Sequence, residues 1–133
     1  MKQFTSKPLL VRYGETDQMG VVHHSNYLRY FEVARLEWLS ALGVSYTSME
    51  KEGLIMPVID VKVTYKTPAL FDDSLTIYIF LSELPRVKII FSYEIKNQKD
   101  EIVCTGETTL AFLNAKTRKP VRCPKEFGVL FST

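Results

Sequence analysis

The spacing of apolar residues divides the chain into a helical part and a longer part that alternates. Residues 25–42 carry apolar side chains close to the helical period, at Tyr27, Leu28, Phe31, Ala34, Trp38, Leu39 and Leu42. This pattern predicts one long helix over Ser25 to Leu42. Ser25 or Asn26 can cap its start, and Gly43 suits the left-handed position just past its end.

Outside the helix, the pattern predicts strands joined by short turns. Residues 8–15 read as a first strand. From Leu54 onward the period is two, which predicts four further strands, over residues 58–66, 75–83, 87–96 and 101–114. Short helical turns are predicted near residues 48–52 and 125–127.

Alternation within these strands assigns side chains to faces. In the strand at 58–66, one face carries Val61, Val63 and Tyr65. The strand at 75–83 is apolar on both faces and is expected to be central or at an interface. The strand at 87–96 is expected to point every second residue inward, at Val87, Ile89, Phe91, Tyr93 and Ile95. Gly106 marks a candidate bulge in the last long strand.

The order of elements, strand, helix and then four strands, is typical of the α+β class. It predicts one antiparallel sheet curled around one long helix. A sheet of this kind has open edges and an uncovered convex face, and pairing two copies edge to edge would cover both. We therefore expect a homodimer as the smallest assembly.

Length and composition fit one globular domain over residues 1–133. The chain is 46% hydrophobic and 24% charged, and its formal net charge is +2. So small a charge argues against a dedicated nucleic-acid binder. No apolar run approaches the ~20 residues of a membrane span, and residues 1–13 do not resemble a secretory signal. A cytoplasmic protein with Cys104 and Cys123 reduced is the expectation.

The loop before the helix carries the candidate chemistry. Asp17 lies eight residues before Ser25, too far to cap the helix, and Gly20 between them allows the loop to fold back. Two interpretations of Asp17 stay open on this spacing. It can form an Asx-type turn, or it can stand beside the free N–H groups of the helix start. A carboxylate facing such donors suits acyl transfer.

The other ionisable residues near the loop give weaker signals. His23 and His24 are adjacent, so on an extended loop their rings are expected to point in different directions, and no metal site is predicted. Glu15 is not expected to form a carboxylate pair with Asp17. Further along the chain, Lys88 falls on the outward face of its strand, where it is available to an external anion.

At this loop the chain resembles the 4-hydroxybenzoyl-CoA thioesterase family, which includes short bacterial acyl-CoA thioesterases. The family pattern T-D-x-x-G-(V/I)-V-x-(H/F)-x-x-(Y/F) is complete here, from Thr16 to Tyr27. The resemblance covers residues 8–115 and is weak in the C-terminal tail. Leu10 departs from the polar residue that often stands there, which puts nothing catalytic in doubt.

The resemblance implies a hotdog fold, in which a strongly curved antiparallel sheet wraps one long central helix. It also implies dimers joined through continuous sheets and often paired into tetramers. Asp17 then occupies the position of the catalytic carboxylate. His24 stands near the helix start, where a backbone N–H polarises the thioester carbonyl.

The resemblance assigns the remaining site residues to substrate binding. Gly20 and Val22 belong to the substrate loop, and Tyr27 packs beside the acyl pocket. Lys66 and Thr67, from the partner subunit, would line the opening. Arg86 and Lys88 resemble the basic pair that meets the nucleotide phosphates of coenzyme A. No cofactor is implied, because coenzyme A arrives as part of the substrate.

Three functions are therefore compared. The leading one is an acyl-CoA thioesterase, which rests on the complete loop motif with Asp17. It needs no full catalytic triad, since a thiol of pKa about 8.5 leaves without strong acid assistance. A hydratase or dehydratase of the same fold would need Glu32 or Glu37 on the helix as its carboxylate. A non-catalytic acyl-CoA-binding module is the third. The acyl group, the use of acyl-carrier-protein thioesters, dimer against tetramer, and direct attack against water activation by Asp17 stay open.

Overall fold

The fold combines a mainly antiparallel sheet with one principal helix, as the sequence predicts for the α+β class. A computed structural model describes residues 2–132. Its helices are α1 Ser25–Ala41, α2 Tyr46–Lys51 and α3 Lys125–Gly128. Its strands are β1 Lys2–Thr5, β2 Leu9–Leu10, β3 Leu54–Ile55, β4 Val58–Tyr65, β5 Ser74–Leu81, β6 Lys88–Lys96, β7 Ile102–Ala111 and β8 Leu113–Asn114.

The main sheet places the strands in the order β1-β5-β6-β7-β4, and β2 also pairs with β5. Every pairing within it is antiparallel. β5 lies between β1 and β6, which confirms its expected internal position. β4 pairs only with β7 among the described strands and forms one edge of the sheet. Strands β3 and β8 form a separate two-stranded pair.

Helix α1 confirms the predicted helix to within one residue at its end. Gly43 follows it with φ of 84°, the left-handed conformation expected there. The side chains that α1 buries are Asn26, Tyr27, Tyr30, Phe31, Ala34, Arg35, Trp38 and Leu39. They join the inward residues of β5, β6 and β7 in one core. Packing of the helix into the core therefore holds its first turn in place. This turn follows the loop of candidate catalytic residues.

Gly106 is not a bulge, and its role is steric. It pairs in register with Val63 on one side and Tyr93 on the other. A Cβ at this position would lie 2.5 Å from Phe31 Cζ and 3.0 Å from the carbonyl oxygen of Lys62. Phe31 in turn stacks on Tyr93, with ring centroids 4.2 Å apart. The glycine therefore leaves the space that the helix side chain occupies above the sheet.

The first predicted strand is largely wrong. Only Leu9–Leu10 is strand, and Tyr13–Glu15 forms a 3-10 turn instead. That turn is closed by the Glu15 carboxylate, which accepts a hydrogen bond from the Arg12 N–H at 2.9 Å. The alternation of residues 8–15 carries no sign of this local contact. β1 was not predicted at all.

One assignment of a side chain to a face also needs correction. Val87 is 53% exposed instead of inward, because β6 begins only at Lys88. Val61, Val63 and Tyr65 share a face as predicted, yet Val61 is 38% and Tyr65 52% exposed. Their strand, β4, lies at the sheet edge and receives cover from one side only.

Among residues 2–132, no helix has both the length and the apolar character needed to cross a membrane. Cys104 and Cys123 are both free thiols, as predicted. Burial raises the pKa of the Cys104 thiol to about 12. This thiol is therefore not a nucleophile at neutral pH.

Candidate active site

Residues 16–22, called the Asp17 loop below, form a small closed turn before helix α1. Thr16 and Val22 face each other as a β-bridge, and the Asp17 N–H donates to the Val21 carbonyl at 2.9 Å. Gly20 has φ of 80°, which a residue with a side chain adopts only at a cost. The loop therefore folds back as its glycine predicts.

Asp17 is a turn former and also faces a cavity. Its Oδ1 accepts a hydrogen bond from the Met19 N–H at 2.9 Å, which is the Asx-type turn. The residue also lines a cavity of about 230 Å³. The two interpretations that spacing left open are therefore compatible. One carboxylate oxygen holds the turn, and the same group borders the space where a substrate would bind.

The cavity brings together residues that the sequence separates widely. It is lined by Asp17, Met19, Val21, Val22, His24, Tyr27, Tyr65, Lys66, Thr67 and Pro68. Six of the nine predicted site residues are among them, from the loop, the helix start and the end of β4. Gly20 shapes the loop without lining the cavity. A larger cavity of 340 Å³ lies between α2 and the C-terminal segment and contains none of the predicted site residues.

The start of α1 leaves one backbone donor unused beside this cavity. The Asn26 N–H donates to the His23 carbonyl at 2.9 Å, and the Tyr27 N–H donates to the His24 carbonyl at 3.3 Å. The Ser25 N–H meets His23 Nδ1 at 3.3 Å. Within residues 2–132, the His24 N–H bonds to no acceptor. An oxyanion donor at the helix start would have this character.

The predicted helix cap is wrong, and so is the predicted separation of the histidine rings. His24 occupies the cap position, with no side-chain cap bond, in place of Ser25 or Asn26. The rings of His23 and His24 lie 4.2 Å apart at a tilt of 32°. The start of the helix turns the chain and brings both rings to one side. In the part of the chain that the structure describes, no three potential metal ligands cluster.

Tyr27 joins the cavity to the core. It is 4% exposed, and its hydroxyl accepts a hydrogen bond from the Ala69 N–H at 3.3 Å. Burial raises the pKa of its phenol, so the group is neutral at pH 7. Its ring lies 5.3 Å from that of Tyr65 at the end of β4. The two tyrosines form an aromatic wall of the cavity.

Lys66 and Thr67, expected to line the opening from a partner subunit, line the cavity of the same chain as Asp17. Both N–H groups donate to the Val103 carbonyl, at 2.9 Å and 3.1 Å. This turn at the end of β4 folds back over β7. The side chains therefore reach the Asp17 loop without a second subunit.

Arg86 and Lys88 lie far from this cavity within one chain. They are exposed and line a separate hollow of about 270 Å³ before β6. Lys88 is level with Ala111 on β7, whereas Tyr65 is level with Cys104. That offset corresponds to about 23 Å along the strands. A single chain does not bring the basic pair beside Asp17.

Sequence reasoning missed four residues that line the cavity, Met19, Val21, Tyr65 and Pro68. The alternation of β4 placed Tyr65 on a face with Val61 and Val63, and its contact with Tyr27 appears only in the folded chain. Met19 is 81% exposed and gave none. Glu15 is not a predicted site residue, but its carbonyl accepts the His23 N–H at 2.8 Å. The loop and the helix start are therefore joined at Glu15.

Comparison with known proteins places this geometry in one family. Residues 11–131 match the sequence profile described as the thioesterase-like superfamily. The acyl-CoA thioesterase YbgC of Haemophilus influenzae is 32% identical over 128 residues, covering 95% of this chain and 93% of the relative. YbgC of Helicobacter pylori strain J99 is also 32% identical, covering 92% of this chain and 96% of its own.

A solved structure agrees with the sequence relatives. The DHNA-CoA thioesterase of Staphylococcus aureus superposes with a TM-score of 0.92 at 37% identity. The match covers 99% of this chain and 90% of that one. The loop, the helix start and the strand end that form the cavity all lie inside the matched region. The chain belongs to the thioesterase-like superfamily.

Proposed function

We propose that this chain hydrolyses acyl- or aryl-CoA thioesters to the free acid and coenzyme A. The chain is a thioester hydrolase, as its family and the names of its relatives indicate. The substrate and the residues that act on it are our proposal. The observation that carries it is that Asp17 and His24 line one cavity, and that within residues 2–132 the His24 N–H bonds to no acceptor.

In the proposed reaction, the thioester carbonyl oxygen accepts a hydrogen bond from the His24 N–H. Such a donor contributes about 2.7–4 kcal/mol to stabilising the negative oxygen of the tetrahedral intermediate. Asp17 attacks the carbonyl carbon directly or takes a proton from the attacking water. The C–S bond then breaks and the thiolate leaves. After direct attack, water hydrolyses the anhydride formed between the acyl group and Asp17, which restores the carboxylate. In both routes water supplies the second oxygen of the acid and the proton of the thiol.

The remaining cavity residues are proposed to hold the substrate. Tyr27 lies beside the acyl group, and Val22 and Gly20 shape the loop that closes over the thioester. Lys66 and Thr67 border the path of the pantetheine arm. An aromatic wall of Tyr27 and Tyr65 accommodates either a short aliphatic or an aryl group. A panel of acyl-CoAs is therefore the way to identify the acyl chain.

We also propose a homodimer joined through β4, in which the curved sheet wraps α1 as the central helix. β4 is an edge strand with exposed apolar side chains, and Val58, Ile59, Val61 and Tyr65 are 38–59% exposed. Exposed apolar edges are normally covered in native proteins. A two-fold axis through β4 would place the partner's Val58 end beside the Tyr65 end of this chain.

That pairing would also complete the coenzyme A site. Within one chain the basic pair at Arg86 and Lys88 lies at the Val58 end of the sheet. In the dimer, the corresponding end of the second copy approaches the cavity. Arg86 and Lys88 of one subunit would then meet the nucleotide phosphates of a substrate whose thioester reaches Asp17 of the other.

The main test measures thiol release by the purified protein from acyl- and aryl-CoAs. We expect Asp17→Asn to reduce kcat/KM at least ~100-fold, the size typical of losing a catalytic base. Asp72→Asn is the matched control, because Asp72 is exposed, lies outside the cavity and has φ of 68°, which asparagine tolerates. Full activity in Asp17→Asn would remove Asp17 from the mechanism.

A second test concerns the nucleotide end. Arg86→Ala and Lys88→Ala are expected to raise KM several-fold for acyl-CoA and to leave KM for acyl-pantetheine unchanged, since only the former carries the nucleotide phosphates. Lys116→Ala is the control, because it also removes a positive charge but from the turn after β8. Equal effects on both substrates would overturn the assignment of this basic pair.

The alternatives give different outcomes. A non-catalytic module would bind acyl-CoA and release no thiol from any member of the panel. A hydratase would need a helix carboxylate in the cavity, and neither candidate lines it. Glu32 is 59% exposed in its side chain, and Glu37 accepts the Lys7 N–H at 2.7 Å. The cavity lining therefore favours the thioesterase.

A further inference from the structure

Glu15 makes more contacts than any role in a surface turn requires. Its side chain is 13% exposed. Oε1 accepts hydrogen bonds from the Arg12 N–H at 2.9 Å and from the Tyr30 hydroxyl at 3.0 Å. Oε2 accepts from the Arg12 guanidinium at 3.1 Å. The carboxylate therefore joins the chain before the Asp17 loop to the second turn of α1.

The backbone of the same residue makes a second connection to the helix start. The Glu15 carbonyl accepts the His23 N–H at 2.8 Å and the Asn26 side-chain amide at 3.0 Å. Asn26 is 7% exposed, so this amide is held in place. His23 precedes the residue whose N–H is the proposed oxyanion donor. Glu15 therefore contacts both ends of the connection between loop and helix.

Tyr30, which bonds the Glu15 carboxylate, is itself held firmly in the core. It is 2% exposed and packs against Tyr27, with ring centroids 5.9 Å apart. Burial and the Glu15 carboxylate both raise the pKa of the Tyr30 phenol, so it remains a donor at every ordinary pH. Burial alone would raise the pKa of Glu15, but the bonds from Arg12 and Tyr30 outweigh it and lower that pKa.

We propose that Glu15 is a positioning residue for the reaction: anchored by Tyr30 and Arg12, it fixes the Asp17 loop against α1 and thereby sets the place of Asp17 relative to the His24 N–H. The inference rests on the proposed function, because it takes Asp17 as the reacting carboxylate. The Asp17 loop begins at the next residue and is closed by its own hydrogen bonds. The Val22 N–H ties the loop to the turn after β4 by donating to the Ala69 carbonyl at 2.8 Å, and Glu15 supplies its hydrogen-bonded connection to α1.

The test compares Glu15→Ala, Glu15→Gln and Tyr30→Phe with Glu37→Ala. Glu37 also accepts a backbone N–H through its carboxylate, but outside the cavity. We expect Glu15→Ala to lower kcat about 10- to 100-fold with little change in KM, the effect of a misplaced catalytic group. Glu15→Gln keeps one acceptor oxygen and should recover part of this loss. Tyr30→Phe removes one hydroxyl and keeps the ring, so it should lower kcat even if Glu15→Ala does not fold.

Amide hydrogen exchange gives a readout that does not depend on activity. The Asp17, Gly20 and Val22 amides donate to the Val21, Asp17 and Ala69 carbonyls, respectively. In Glu15→Ala and Tyr30→Phe, the Val22 amide, which ties the loop to the strand turn, should exchange faster, whereas the Gly43 and Val44 amides at the far end of α1 should not.

The outcomes separate this inference from the proposed function. If the wild type releases no thiol, the proposed function fails, and the exchange measurement still decides whether Glu15 holds the loop. If Glu15→Ala and Tyr30→Phe lower the melting temperature but leave kcat and Val22 exchange as in Glu37→Ala, the positioning role is overturned. Faster exchange together with lower kcat supports it.

Discussion

The Asp17 loop and the middle of helix α1 are held by different kinds of contact. The loop is fixed by hydrogen bonds, from its Asx turn at Met19 to the Glu15 carboxylate that receives Tyr30. The middle of α1 is fixed by rings, where Phe31 stacks on Tyr93 above the space left by Gly106. The two regions are only about two helical turns apart.

This difference separates position from stability. A hydrogen bond contributes only about 0.5–1.5 kcal/mol net, but it is directional and determines where its atoms lie. Burying a large side chain contributes about 1.5–3 kcal/mol with little directional demand. We therefore expect changes in the ring-packed region to lower the free energy of unfolding, and changes around the loop to lower activity first.

The largest expected effect is on the packed side. Gly106→Ala should reduce the free energy of unfolding by about 1–3 kcal/mol, because the new methyl group would overlap the Phe31 ring. Urea denaturation measures this. Gly14→Ala is the control, since no atom outside its own neighbours lies within 4 Å of a Cβ there. Adding Phe31→Leu to Gly106→Ala should recover part of the loss. A Gly106→Ala protein as stable as the wild type would contradict this account of the packing.

Gly106 also shows what the sequence could not predict. A glycine inside a strand pattern indicates either a bulge or a close approach, and only the tertiary contact with Phe31 distinguishes them. The helix, by contrast, was predicted almost to its end because its apolar period is local. The first strand failed because the Arg12–Glu15 contact competes with extension, and no period reports a contact of that kind.

The candidate site follows the same division. The loop motif identified Asp17, and Gly20 indicated that the loop turns back. The family resemblance assigned Lys66 and Thr67 to the partner's side of the opening, and a linear sequence does not show that β4 ends beside the loop of the same chain. Glu15 was passed over because its importance lies in a bond to Tyr30, fifteen residues away. A residue that acts by positioning other residues leaves little trace in the local sequence pattern.

The next effect compares two glycines with the same backbone demand. Gly20 and Gly43 have φ of 80° and 84°, and no atom beyond their chain neighbours lies within 4 Å of a Cβ at either. Alanine at each should therefore cost a similar about 1–2 kcal/mol of stability. Only Gly20→Ala, in the Asp17 loop, should also lower kcat/KM, by about tenfold. Equal losses of activity in both variants would break the proposed separation of position from stability.

The smallest effect is the dependence of stability on pH through Glu15. Its pKa in the folded chain lies below the ordinary value of 4.5, because the bonds from Arg12 and Tyr30 to the carboxylate outweigh the effect of burial. Folding thus favours the ionised form of Glu15. Its contribution to the free energy of unfolding is complete above the ordinary pKa and is lost as pH falls through the folded pKa.

The free energy of unfolding of the wild type should exceed that of Glu15→Gln at pH 7, and the two should converge as the pH is lowered below 4.5. Tyr30→Phe removes one of the bonds that lower this pKa. Adding Glu15→Gln to Tyr30→Phe should therefore reduce the free energy of unfolding by less than it does in the wild type, and this difference should disappear at a higher pH. Urea denaturation from pH 7 to pH 3 measures both differences. If the wild-type and Glu15→Gln curves stay parallel, the charge of the Glu15 carboxylate does not contribute to stability.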